Sequence, residues 1–476
     1  MFQPKTVPSL SSLALVTNRI AKGRATLSWP VYLTFSLAAL LTPALWNGYA
    51  LTFYDTGGYV DAVLRMELVP GRSLFYGLFL WLGSLGWQSF WGPVLVQSLC
   101  TLWLIRLLLR CHGLPSGAQA LACFSAGLAC LTGVSWYTSQ LMPDILVPLM
   151  VLSLWLLAMH WPRIGWMERT GLAAIALLGL LSHMSCLALA LGLIAVILAA
   201  RILGRRWTPA VCIMPPLAVV LASLLLMPLL HLALTGQGGY TPGGPTFLFG
   251  RLVQDGIAQR WLAEHCPAPD IKLCELRHRL PATADDFLWN GGSPFQDLGG
   301  WRGSSEPELK HLTRAAVTAY PGMTLWTTLR STAQQMVKVA TGDALYESHS
   351  DTRGIIHKFL PGIAPPFFEA RQQHGQVTQE LFDRLNLIHI PVALISVLGL
   401  LPIVLWSWRN DRRDLAALAL FVFFALLGNA FICGALSNPH DRYQSRLVWL
   451  APLVVGMVLA ASWKKLDRVH SPDRIG

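Results

Sequence analysis

Phe53-Tyr54-Asp55-Thr56-Gly57-Gly58-Tyr59 carries the first carboxylate after the first long apolar run. A carboxylate partly desolvated by Phe53, Tyr54 and Tyr59 can act as a general base on a hydroxyl. The same stretch also reads as a turn, because Asp before Thr-Gly-Gly suits turn geometry. Asp144 follows Met142-Pro143 at the head of a later apolar run, either as a second active carboxylate or as an acidic helix start favoured by the dipole. Asp61 lies four residues before Arg65, the spacing of an i,i+4 ion pair.

Arg442 and Arg446 stand four apart in Ser437-Asn438-Pro439-His440-Asp441-Arg442-Tyr443-Gln444-Ser445-Arg446. Guanidinium groups bind phosphate in bidentate fashion; otherwise the pair are interfacial anchors or partners of Asp441. Arg65 and Arg72 are the reserve phosphate ligands. Tyr54, Tyr59, His183, His440 and Tyr443 neighbour these positions as candidates for placing a substrate, although His183, alone at a tight turn, also reads as a plain interfacial residue. No Gly-rich nucleotide loop, HExxH or paired CxxC occurs, so the motifs indicate no cofactor and leave open whether a divalent metal takes part.

These residues need a membrane scaffold to hold them. The chain has 476 residues, 54% hydrophobic and 13% charged, against about a quarter charged in soluble domains. Runs close to the ~20 residues of a membrane span fall at about 31–51, 89–110, 116–135, 142–161, 170–182, 185–200, 209–233, 388–408, 414–436 and 446–462. The expected fold is therefore all-α and polytopic, with about ten transmembrane helices, of which 170–182 is the shortest. The first run is too long for a cleavable signal and is expected to stay as an anchor.

Lys and Arg gather on one side of this ten-span count, which puts both termini in the cytoplasm. The opposite short loops hold only Arg65, Arg72, Arg442 and Arg446. A polar lead occupies 1–30, a membrane core 31–235, an outer domain 236–387, the last spans 388–462 and a cytoplasmic tail 463–476. Within the core, 59–87 reads as two helices lying in the interface plane; a crossing there would reverse every later loop. The outer domain, mainly helical by pattern, is large enough for a core of its own and reads as a lid. It holds 14 basic and 15 acidic residues, so the net charge of +11 lies in the membrane part and needs no nucleic acid. Cys266 and Cys274 sit in this domain as a disulfide or as two free thiols.

This layout resembles the type C glycosyltransferases, the superfamily of polyprenyl-phosphate-sugar-dependent mannosyl and aminoarabinose transferases. The matching features are Asp55 in the first outer loop, two juxtamembrane helices at 59–87, Asp144 in the second outer loop and the large segment after span 7. A first-loop Asp-Glu pair and a WWDYG-like motif are absent. The resemblance implies an inverting enzyme of the bacterial inner membrane that takes a sugar from a polyprenyl-phosphate donor, with Asp55 as base, Asp144 placing an unidentified acceptor and the arginines on the lipid phosphate. A transporter or flippase, and a non-catalytic envelope assembly protein, are the alternatives from other classes.

Overall fold

The computed structural model describes residues 28–203, 211–236, 238–240, 243–303, 306–347 and 349–470. Of the lead 1–30 only 28–30 are described, and of the tail 463–476 the last six residues fall outside the described residues. Helices dominate, and among the described residues the only β-pairing is two isolated bridges, Leu51 with Gln140 and Val69 with Arg72. Among the described residues seven helices are long and apolar enough to cross a membrane, so the protein is a multi-pass helical membrane protein.

Helix α1 (Trp29–Asn47) starts with proline in its first turn and stops at Gly48, whose φ of 86° is left-handed. The chain then runs through Thr56–Arg65 (α2), Leu74–Gly83 (α3), Trp91–Cys111 (α4), Ala118–Leu131 (α5), Pro143–Met159 (α6) and Trp166–Ser182 (α7). Next come Ser185–Leu203 (α8), Met214–Thr235 (α9) and Gly244–Gln254 (α10). Glu306–Ala319 (α11), Pro321–Val337 (α12) and Ser350–Phe359 (α13) follow, then Gln379–Arg409 (α14), Arg413–Ala435 (α15) and Asp441–Trp463 (α16).

All ten apolar runs form helices, but α5, α6 and α7 have 14, 17 and 17 residues and fall short of a full span. Helix α6 shows why length alone misjudges such a run. From Leu146 to Ala158 every residue is buried, because this helix is surrounded by others, and a helix that is hydrophobic all round belongs inside.

Two expectations are corrected. The first run, expected to reach 51, stops sooner: Gly48 turns the chain, Leu51 pairs with Gln140 in an isolated bridge, and Asp55 caps the start of α2. The segment 236–387 is not one body with one core. Phe249, Ile257, Trp261, Phe287, Phe295, Leu309 and Leu312 form a separate core, whereas Val339, Leu345, Ile356, Phe367 and Phe382 join the main core of the membrane helices. The apolar residues of 339–382 face the membrane helices, so this part serves as a wall of that core rather than as a lid.

Cys266 and Cys274 are bonded to each other at the edge of the separate core, with Cys274 buried. Closing so short a loop is worth about 2–3 kcal/mol. Reduction should therefore lower the unfolding temperature of the 244–320 region without altering the membrane helices. Mass spectrometry that finds both thiols free in the native protein would refute the pairing.

Candidate functional site

The extended segment after α1 is held on both sides before it reaches Asp55. Leu51 donates its N–H to the Ser139 carbonyl (2.9 Å) and accepts from Leu141 N–H (2.8 Å). The Gln372 amide clasps Thr52, accepting from its N–H (3.0 Å) and donating to its carbonyl (3.0 Å). Thr56 Oγ1 accepts from Phe53 N–H (2.8 Å) and donates to the Leu141 carbonyl (3.0 Å). Thr352 Oγ1 accepts from Gly57 N–H (2.9 Å) and donates to the Phe53 carbonyl (2.9 Å). Gly57 is required for that approach, since a Cβ there would lie 2.7 Å from Thr352 Cα. Asp55 is thus fixed by segments some 85 to 320 residues away in sequence.

Around it the fold assembles two carboxylates and three guanidiniums. Asp55 accepts a hydrogen bond from Arg72 and pairs with Arg442 Nη1 at 3.5 Å. Arg442 Nε also lies 3.9 Å from Asp144 Oδ1, and Arg446 Nη1 donates to that same oxygen at 3.0 Å. Arg442 therefore joins the two carboxylates. Their four-residue spacing sets Arg442 and Arg446 on one face of α16, and the ring of Tyr443 lies 5.2 and 5.3 Å from them. The two outer guanidiniums, Arg72 and Arg442, converge on Asp55.

Burial divides the cluster into two layers. The side chains of Asp55, Arg72 and Arg442 are 20, 19 and 15% exposed, whereas those of Asp144 and Arg446 are 1 and 0% exposed. Only the first three can meet a ligand directly. Arg446 is consumed by the protein: Nη1 also donates to His183 Nε2 (2.6 Å), and Nη2 to Ser185 Oγ (3.2 Å) and Asn429 Oδ1 (3.3 Å). The expectation that Arg446 binds phosphate is corrected accordingly; it positions Asp144. Asp144 Oδ2 remains buried without a partner.

The other anticipated residues fall in varied places. His183 is half-buried and wedged into the deep layer, not a plain interfacial residue, with Nδ1 2.9 Å from Ser185 Oγ. Burial first, then the charges of Arg446 and Arg442, hold its imidazole well below the ordinary range and keep it neutral, as accepting from a guanidinium requires. Tyr59 is buried edge-on to Tyr76 (4.9 Å), and burial, with the Asp55 charge beside it, raises its phenol so that it stays protonated. Tyr54 lies at the mouth, exposed, bonded to Glu347 and with its ring 4.6 Å from His349.

His440 turns away from Asp55 and Asp144. It contacts Asp285 (3.0 Å), which fastens the last loop to the separate core, and lies 3.7 Å from Asp343 in the 339–382 wall. Arg65 is not brought to the site: it is exposed and pairs with Asp61 at 2.7 Å, the helical i,i+4 contact its spacing allows. Asp441, the other suggested partner of Arg442, instead accepts from Ala340 N–H (2.9 Å) and lies 3.7 Å from Lys338. Among the described residues no group of three or more His, Cys, Asp or Glu side chains could hold a metal ion.

Trp289, one of the tryptophans of the outer domain that the sequence offers as faces for a sugar, lies beneath the Arg72 guanidinium at 5.1 Å. Other contributors escaped the sequence reading, among them Asp343, which accepts from Arg442 N–H at 3.1 Å. Thr352, Gln372, Glu347 and Ser185 carried no signal of their own. Asn429 did, as a strongly polar side chain within the apolar run 414–436, where such groups mark buried polar contacts. No family model, curated protein or solved structure matches this chain. What defines it is a multi-pass helical membrane scaffold with a partly buried carboxylate and arginine cluster at the junction of its loops.

Removing Arg446 strands the buried Asp144 carboxylate, a loss of about 3–5 kcal/mol. Arg446→Ala should therefore unfold at markedly lower temperature in detergent, while Arg72→Ala, at the rim, should unfold close to wild type. Equal unfolding temperatures for wild type and Arg446→Ala would contradict the two-layer description.

Proposed function

We propose that the protein is an integral-membrane glycosyltransferase of the type C kind, moving a sugar from a polyprenyl-phosphate donor to an acceptor at the outer face of a bacterial inner membrane, with both termini cytoplasmic. The observation that carries this reading is the sharing of the Asp55 carboxylate between Arg72 and Arg442, two guanidiniums that keep partial access to solvent. A lone base needs no such arginines; a base that works beside a phosphate does.

In this reading the donor phosphate enters at Arg72 and Arg442 and draws them away from Asp55. The incoming anion takes up donors of both guanidiniums and leaves the Asp55 oxygens free to face the acceptor hydroxyl. Asp55 then takes the proton of the acceptor hydroxyl as its oxygen bonds to the anomeric carbon. The bond from that carbon to the phosphate oxygen breaks on the opposite face, with inversion. The leaving lipid phosphate needs no proton, because the two arginines stabilise its charge. Asp144, fixed by Arg446, keeps Arg442 in place, and Trp289 beside Arg72 offers a ring face to the sugar.

The test uses the purified full chain in lipid nanodiscs with a panel of short-chain polyprenyl-phosphate sugars, following release of lipid phosphate. Wild type should release it from one donor class. Asp55→Asn should unfold as wild type does and release at least about 100-fold more slowly, the usual weight of a positioned base; release at the wild-type rate would remove Asp55 from this role. Arg442→Ala should weaken donor binding by about tenfold or more, in keeping with a charged hydrogen bond of about 1.5–3 kcal/mol. Unchanged donor affinity would reassign Arg442 to anchoring, and no binding of any donor to wild type would overturn the proposal.

A further inference from the structure

Helix α12 belongs to the segment read from sequence as a soluble outer domain, yet it packs on a membrane helix. Its inner side presents Ser331 and Gln335, both buried, to Gly434 in the last turn of α15. The approach is close: a Cβ on Gly434 would lie 2.6 Å from the Ser331 carbonyl oxygen and 2.9 Å from Gln335 Cβ. Because α15 is one of the seven spans, α12 sits at the level where that span leaves the bilayer.

The opposite side of α12 is apolar and uncovered. Leu325, Trp326, Leu329 and Val337 are 61, 66, 57 and 61% exposed, with Leu325 and Leu329 one helical turn apart. Threonines on the same helix make no demand on water: Thr324, Thr327 and Thr332 each donate to a carbonyl three or four residues back, at 2.9, 3.2 and 2.8 Å, as hydroxyls do in apolar surroundings. Near Gly434, α15 and its C-cap residue leave their own uncovered side chains, Leu427, Phe431 and Leu436. These belong to a span and its end, where uncovered apolar side chains meet lipid.

We propose that the Leu325, Trp326 and Leu329 face of α12 rests in the interfacial zone of the lipid bilayer and seats the separate core on the membrane. Tryptophan favours that depth, an amphipathic helix lies in that plane, and the exposed Arg330 reaches headgroup phosphates from it. The seating bears on the arginine cluster. Gln335 clasps His440 through both backbone groups, donating to its carbonyl (2.7 Å) and accepting from its N–H (3.0 Å), two residues before Arg442. The lipid contact thus fixes the loop that presents Arg442. The inference depends on α15 being a span, not on glycosyl transfer.

The test places the photo-crosslinker p-benzoylphenylalanine singly at Trp326, Leu329 and Arg314 of the full chain in phosphatidylethanolamine and phosphatidylglycerol nanodiscs, with adducts identified by mass. Arg314, exposed on α11, is the water-facing control. Since Trp326 and Leu329 are exposed, their replacement should leave the unfolding temperature unchanged. Lipid adducts at 326 and 329 in at least about tenfold excess over 314 are expected. Adducts to polypeptide, which would mean a second copy or another protein covers the face, would overturn the proposal. So would equal lipid yields at all three positions, or no adduct at 326 and 329.

Discussion

Arg442 bridges Asp55 and Asp144, and much of the structure around it can be understood as the means of making that bridge tolerable at a membrane. A charge withdrawn from water costs several kcal/mol unless opposite charges and hydrogen bonds replace its hydration. In the deep layer Arg446 finds Asp144, His183, Ser185 and Asn429 together, while Asp144 Oδ2 and Arg446 Nε stay buried without a partner. The outer layer is less deeply buried. Asp55, Arg72 and Arg442 keep partial access to solvent, which is where a ligand could exchange with the internal partners.

This division explains the local architecture. The deep layer is carried by helices, whose side chains are held by packing. In the outer layer Arg442 stands on α16, whereas Asp55 and Arg72 lie outside the helices, and Asp55 relies on Thr56, Thr352 and Gln372 to fix its backbone. The 339–382 stretch therefore has a structural part in the site. It supplies Asp343, Glu347 and Thr352 around Asp55 and Arg442 while burying Ile356, Phe367 and Phe382 against the membrane helices.

Much of the scaffold was legible in advance. Apolar length located the ten helical runs, and the Pro70-Gly71 break separated α2 from α3 where the structure separates them. Spacing also foretold the Asp61 and Arg65 pair. The errors share a cause. The first span was carried to 51 because an apolar run does not reveal where a helix stops, whereas Gly48 in the left-handed region stops it. Residues 236–387 were read as one unit because both of its parts have helical periodicity, and periodicity does not say which core a face will join.

The sequence by itself determined that the chain crosses membranes, that its charges are scarce within the apolar runs, and that Arg442 and Arg446 share a helix face. These follow from composition and from periods of 3.6 residues, both local properties. Only the tertiary structure decided that Arg442 joins Asp55 to Asp144, that Arg446 is consumed within the protein while Arg65 stays outside, and that Trp289, Asp343 and Thr352 complete the cluster. Those contacts link residues up to about 390 positions apart. Their partners are chosen by which helices pack together and how deeply each charge is buried, and no local pattern encodes either.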